Sequence, residues 1–221
     1  TVILALTVWW LPETNPADGD NGTRLGSGMA ALVREPKFIG HTLTLGFCSS
    51  VFFSFIAGAP YIMINVLDQT PLDYGLWFMM ISVGYMTGNF VSGRYSQRIG
   101  IDRMITTGNI LSMIGAVAML GFGVAGSLNP MTLFGPMLLV TLGNGLTIPN
   151  ATAAAISVLP RTIGAAAGLS GFAQMTIGAS ASQLTGTLQQ ATPLVALWIM
   201  AVSAVLALSV SFFTRQSGSR F

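Results

Sequence analysis

Six apolar runs, at about 38–66, 75–92, 104–126, 131–154, 164–188 and 194–213, alternate with short polar connections along this chain. A hydrocarbon core of about 30 Å takes roughly 20 helical residues, so each run predicts one membrane-spanning helix. None of the six contains Asp, Glu, Lys or Arg, and all seven acids (Glu13, Asp18, Asp20, Glu35, Asp68, Asp73, Asp102) fall in connections or at boundaries. A further apolar stretch, Thr1 to Leu11, is too short to span. With Trp9 and Trp10 placed as an interfacial aromatic belt, it reads as the end of a helix that begins upstream. Pro12 to Glu35 is polar and broken by Asn15-Pro16, Gly19, Gly22 and Gly26, with a short surface helix expected over Met29–Val33. Two units follow: 1–37, a helix end and connecting segment, and 38–221, a six-helix bundle.

Proline and glycine divide the spans further. Gly58-Ala-Pro60 predicts a bend in the first span, and Pro136 and Pro149 interrupt the fourth. These are the first members of two successive helix triplets. That correspondence points to a three-plus-three inverted repeat whose interrupted helices line a cavity.

Charge orients the pattern. All nine Lys and Arg residues fall in alternate connections: Arg24, Arg34 and Lys37 before the first span, Arg94, Arg98 and Arg103 after the second, Arg161 after the fourth, and Arg215 and Arg220 after the sixth. Asn65–Tyr74, Ser127–Pro130 and Gln189–Pro193 carry none. Basic loops resist translocation, so the expected topology puts the basic connections and the C-terminus in the cytoplasm of a multi-pass inner-membrane protein. The composition agrees, with 52% hydrophobic and 7% charged residues against about a quarter charged in soluble domains. The positive-inside bias accounts for a pI near 9.0 without a nucleic-acid partner. Cys48 is alone, which excludes a disulfide framework and a cysteine-based metal site.

The most informative string is Gly93-Arg-Tyr-Ser-Gln-Arg-Ile-Gly-Ile-Asp-Arg103, read as a tight basic loop between the second and third spans. Gly93 is expected to let helices approach and Gly100 to permit a positive-φ turn. The alternative is a short basic loop with no special role. The string resembles the loop motif of the major facilitator superfamily: Gly93, Arg98, Gly100 and Arg103 match loosely, with Gln97 in place of the motif's acid. Leu11-Pro-Glu-Thr14, Gly58-Ala-Pro-Tyr61, Thr70-Pro-Leu-Asp-Tyr-Gly75, Pro149-Asn-Ala-Thr-Ala153 and Gly164-Ala-Ala-Ala-Gly-Leu-Ser-Gly171 are similar, in order and spacing, to segments of the bicyclomycin/chloramphenicol-resistance type of drug:proton antiporters.

The resemblance implies the C-terminal half of a twelve-helix, all-α transporter that exports small hydrophobic or cationic compounds by alternating access. It implies a proton gradient as the coupling source and no cofactor. The partners are then the bilayer, the substrate and an N-terminal six-helix half, in a protein monomeric when full length. An importer of an organic metabolite with the same fold is the alternative. The acid-free spans put the coupling carboxylate in the N-terminal half. Gly93, Arg94, Arg98, Gly100 and Arg103 become a conformational loop.

Polar and aromatic residues inside the spans are the substrate-binding candidates: Phe52, Phe55, Tyr61, Tyr85, Asn89, Asn144, Phe172 and Gln174. Unpaired amides facing lipid cost several kcal/mol, so these belong in the bundle or on a wet cavity, and aromatic faces suit apolar or cationic ligands. Helix–helix hydrogen bonding is the competing role for each. Gly84 with Gly88, Gly164 with Gly168, and Gly178 with Ser182 and Gly186 predict close helix packing.

Other motifs are discarded. Gly121-Phe-Gly-Val-Ala-Gly126 matches a dinucleotide fingerprint but has no βαβ context, and Asn21-Gly22-Thr23 is a glycosylation acceptor placed on the cytoplasmic side. His41, the single histidine, reads as a satisfied interfacial ring. Spans without Asp, GxSxG or a second histidine exclude an intramembrane enzyme.

Overall fold

The computed structural model describes residues 21–189, 192 and 194–218. The expected helix end at 1–11 and the Leu11–Thr14 string lie outside the described residues. In chain order the helices are α1 (Asn21–Arg34), α2 (Pro36–Tyr61), α3 (Pro71–Ile99), α4 (Ile101–Val124), α5 (Pro130–Ser157), α6 (Ile163–Leu188) and α7 (Val195–Gly218). A π-helical segment, Ile62–Val66, continues α2, and a 3-10 turn, Pro160–Thr162, leads into α6. The all-α expectation holds, and α1 is longer than the surface helix expected at 29–33.

Four helices are long and apolar enough to cross a membrane: α2 with its π extension, α4, α5 and α7. The other two long helices, α3 and α6, have 29 and 26 residues, or about 44 and 39 Å at 1.5 Å per residue, but are richer in small and polar side chains.

Helix starts follow the sequence closely. Pro36, Pro71 and Pro130 occupy first helical positions, where a missing N–H costs nothing. Thr70 and Asp73 form a capping box: the Asp73 N–H donates to Thr70 Oγ1 (3.2 Å) and the Thr70 N–H donates to Asp73 Oδ2 (3.0 Å). Asp73 lies ahead of the 75–92 span, and hydrogen bonds from the Thr70 hydroxyl and backbone hold its carboxyl below the usual carboxylate range. Asn129 and Thr132 form the equivalent box on α5.

The packing is symmetric between the two helix triplets. α3 packs on α5 and α6 on α2; α4 packs on α5 and α7 on α2; α2 meets α5, and α4 meets α7. Exchanging α2, α3, α4 for α5, α6, α7 reproduces these six pairs, although α5 also packs on α6 without a comparable α2–α3 contact. Successive helices alternate in direction, so α2 and α5 run antiparallel, as an inverted repeat requires. The helices that carry the internal prolines, Pro60 in α2 and Pro136 and Pro149 in α5, form the centre.

Glycines set how closely α5 is gripped. A Cβ at Gly88 would collide with the Leu142 carbonyl and lie 3.0 Å from Gly145 Cα, and a Cβ at Gly108 or Gly143 would collide across the α4–α5 contact. Gly84 and Gly88 therefore pack as their spacing predicts. Gly164 and Gly168 have the same spacing, yet a Cβ at either meets nothing within 4 Å. Their predicted close packing is absent among the described residues, because α6 turns that face outward. Gly178 packs on Phe53 and Gly186 on nothing. Towards the non-basic end, Phe134 is fully buried and touches the rings of Phe55, Tyr74 and Trp77 at 5.4–6.0 Å between centroids.

Candidate functional site

The interior of the bundle is polar where α2, α4, α5 and α7 meet. Asn109, fully buried on α4, donates from Nδ2 to the Ala207 carbonyl (3.3 Å) and accepts at Oδ1 from Cys48 Sγ and Thr147 Oγ1, both at 3.3 Å. Asn144 donates from Nδ2 to the Cys48 carbonyl (3.2 Å) and accepts from Ser112 Oγ (3.3 Å). Nearer the basic end, Asn150 donates to Ser92 Oγ and to the Leu146 carbonyl, both at 2.7 Å. These bonds tie five helices together, α2, α3, α4, α5 and α7, with each amide N–H paired, the arrangement lipid-embedded amides require.

Two substrate candidates belong to this sealed interior and not to an accessible wall. Asn144 is 2% exposed and Phe55, edge-on to Phe134, is 1% exposed. Both lie on the inward faces of the central pair, where neighbouring helices cover them. Asn109 and Asn150 do the same joining work, and the sequence reading did not single out Asn109 at all. Its signal was present: an amide in the middle of an acid-free apolar run needs a partner on another helix.

The other six candidates fall into two groups. Tyr85 (40% exposed) and half-buried Asn89 lie on α3, where Asn89 Nδ2 donates to the Tyr85 carbonyl (2.9 Å). Phe172 (70% exposed) and half-buried Gln174 lie on α6, with half-buried Phe52 and Tyr61 on α2. Gln174 Nε2 donates to Ser49 Oγ (2.8 Å) and so fastens α6 to α2. Among the described residues no hydrogen bond or ring contact joins the α3 group to the α2–α6 group.

The exposed faces differ in chemistry. α4 and α7 expose aliphatic and aromatic side chains such as Ile110, Ile114, Val117, Trp198, Val202 and Val205. α3 exposes Ser82, Thr87 and Tyr85 among Met79, Val83 and Met86, and α6 exposes Thr176, Ser180, Gln183 and Thr187 around Phe172 and Met175. The first pair suits lipid. The second pair mixes hydroxyl and amide groups with apolar ones and suits a protein or wet surface better than the first pair does.

The basic string 93–103 is helical almost throughout. α3 runs to Ile99, Gly100 alone makes the connection with φ +95, and α4 starts at Ile101. The positive-φ turn expected at Gly100 is present, while the expected loop is a single residue. Gly93 does not bring helices together, since a Cβ there meets nothing within 4 Å. Among the described residues no hydrogen bond or ion pair engages the side chains of Arg94, Arg98 or Arg103, which project from the ends of α3 and α4.

Two cavities open near the basic connections. One, of about 300 Å³, lies where α3, α5 and the start of α4 meet and is lined by Asn89, Ser92, Gly93, Gln97 and Asn150 among others. The other, of about 700 Å³, is lined by Glu35, Lys37, His41, Asp102 and Arg215 among others. His41 lines this cavity and makes no hydrogen bond to another side chain or backbone group among the described residues.

Comparison with known proteins agrees with this architecture. The family model of the Major Facilitator Superfamily matches residues 1–183. An uncharacterized MFS-type transporter, YdgK, of Bacillus subtilis is 25% identical over 96% of this chain and 53% of its own length. A bicyclomycin resistance protein homolog of Haemophilus influenzae is 21% identical over 95% of this chain and 53% of its own length. The multidrug transporter MdfA of Edwardsiella piscicida is 31% identical, over 49% of this chain and 27% of its own length. The chain spans about half the length of the first two relatives. They and the matching family are transporters and not enzymes. With the family model covering most of its length and two helix triplets packed in exchange symmetry, the chain belongs to the major facilitator superfamily.

Proposed function

We propose that this chain forms the C-terminal half of a secondary transporter that exports small hydrophobic or cationic compounds by alternating access, coupled to inward proton flow. The observation that carries the reading is the contrast between helix faces. α4 and α7 present lipid-compatible surfaces, whereas α6 and the stretch of α3 between Asp73 and Arg94 present mixed polar and apolar ones without charge, fitted to an opposing helical half and a passage between the halves. The multidrug and bicyclomycin-resistance names of the relatives support the substrate class.

Of the original candidates, Tyr85, Asn89, Phe172, Gln174, Phe52 and Tyr61 remain as the passage wall. Aromatic faces and neutral amides suit apolar or delocalised cationic guests better than an anionic metabolite, for which an intramembrane Arg or Lys is the expected anchor. An importer is therefore the weaker reading. No acid lies within the six runs, so the proton-carrying carboxylate belongs to the other half. The basic connections, all on one side, support a cytoplasmic C-terminus in an inner-membrane protein.

The test uses the whole protein in proteoliposomes with a fluorescent lipophilic cation. An imposed pH gradient drives uptake against the cation's own gradient, and collapsing the pH gradient abolishes it. Flux indifferent to the pH gradient overturns the coupling.

A further inference from the structure

At the non-basic end of α2 the helix changes character within a few residues. Pro60 removes one backbone donor, the chain becomes π-helical over Ile62–Val66, and it leaves through Asp68 at φ +51. π segments often mark functional positions in helices, and a proline nearby weakens the ladder further. Gly58 lies at the start of this weakened stretch. Its carbonyl shares the Ile62 N–H with the Ala59 carbonyl, which leaves it room for a second donor.

That donor is Gln189. By sequence Gln189 belongs to a connection, but in the structure it follows α6 directly, is 4% exposed, and donates from Nε2 to the Gly58 carbonyl at 2.6 Å. Thr185, one turn earlier, is fully buried, and its methyl would lie 3.4 Å from a Cβ at Gly58. The same Cβ would collide with the Ala196 side chain on α7. Three helices therefore converge on Gly58, Gln189 at its carbonyl and Thr185 and Ala196 on the side where a Cβ would stand, and the absence of a side chain is what lets them.

We propose that Gln189 is a positioning residue that latches the π-helical end of α2 to α6, and that release of the Gln189–Gly58 hydrogen bond accompanies opening of the passage at the end opposite the basic connections. The latch rests on the transport reading for its purpose, but its mechanics are independent of what is carried. A neutral side-chain hydrogen bond of ordinary strength shifts a two-state balance about fivefold, enough to bias the end without locking it. The lost bond is also easily replaced by water once the end opens, so the latch is reversible.

The experiment is a pair of spin labels at Val66 and Leu188, both exposed, in the otherwise cysteine-free whole protein, with distances read by pulsed electron resonance in nanodiscs. In the native sequence the distribution is dominated by one short component at every pH. Gln189→Leu, which keeps bulk and removes the donor, is expected to raise the ratio of a longer component about fivefold. Gln189→Glu supplies a test that simple misfolding cannot mimic. Its protonated carboxyl donates to the Gly58 carbonyl and its ionised form cannot, so the short component dominates at low pH and fades as the pH rises. An unchanged distribution in Gln189→Leu, or a pH-independent one in Gln189→Glu, overturns the latch. If the label response follows the prediction while no substrate is transported, the latch stands and the transport reading fails.

Discussion

Replacing Asn144 with Ala separates two roles that an amide inside a membrane helix can play. Its side chain donates to the Cys48 carbonyl at 3.2 Å, accepts from Ser112 at 3.3 Å and is 2% exposed. Interhelical hydrogen bonds inside membranes average about 0.6 kcal/mol each, so losing two costs about 1.2 kcal/mol. Ser112 retains its bond to the Val140 carbonyl at 3.1 Å, so no unsatisfied hydroxyl adds to that figure. The truncation also leaves a small void, worth about another 1 kcal/mol. The total, about 2 kcal/mol, corresponds to roughly a thirtyfold shift in the local opening equilibrium. Cys48 reports that opening directly, because its thiol is buried beside Asn109 and reacts only when the helices part. Alkylation of the Cys48 peptide, followed by mass spectrometry of the whole protein in detergent, is expected to accelerate about thirtyfold in Asn144→Ala while the relative preference among transported compounds stays as in the native protein. An altered preference with unchanged Cys48 alkylation refutes the reasoning and returns Asn144 to the passage wall.

Other perturbations give equally definite outcomes. Tyr61→Ala, at a half-buried ring, is expected to change the order of preferred compounds with less than about 1 kcal/mol of destabilisation, measured by transport competition and thermal melting. Gly88→Ala drives a methyl into the Leu142 carbonyl and is expected to cost about 1–3 kcal/mol, read as a lower melting temperature. Gly168→Ala meets open space within these six helices, so any loss of assembly it causes reports contact with the other half. Arg98→Ala removes a guanidinium without a partner among the described residues, and is expected to slow every substrate alike with the melting temperature unchanged.

Much of the fold was legible because hydrophobic run length and cap chemistry are local. The runs read from 75 and 131 fall inside helices that begin at Pro71 and Pro130, because the Thr70 and Asn129 caps add polar first turns ahead of the apolar residues. The end of α3 was not legible: Arg94 and Arg98 look like loop residues, yet long basic side chains extend from a helix that has already left the apolar layer. Nor can spacing alone separate Gly88, which grips α5, from Gly168, which faces outward, since both recur every four residues. The same limit applies to the site. Asn144 and Gln174 are both amides in apolar runs, and only the direction each faces decides that Asn144 joins the core while Gln174 stays half-buried at the α2–α6 contact. Gln189 was hidden more deeply, because its partner is a backbone carbonyl 131 residues away.

The central claim is that the polar-and-apolar face of α6 lines a passage while α7 faces lipid. Single cysteines at Phe172 (70% exposed, α6) and Val202 (52% exposed, α7), in an otherwise cysteine-free whole protein, test it through thiol labelling in proteoliposomes. A saturating transported compound is expected to slow labelling at position 172 severalfold and to leave position 202 unchanged. Equal labelling at both positions, with and without the compound, contradicts the account.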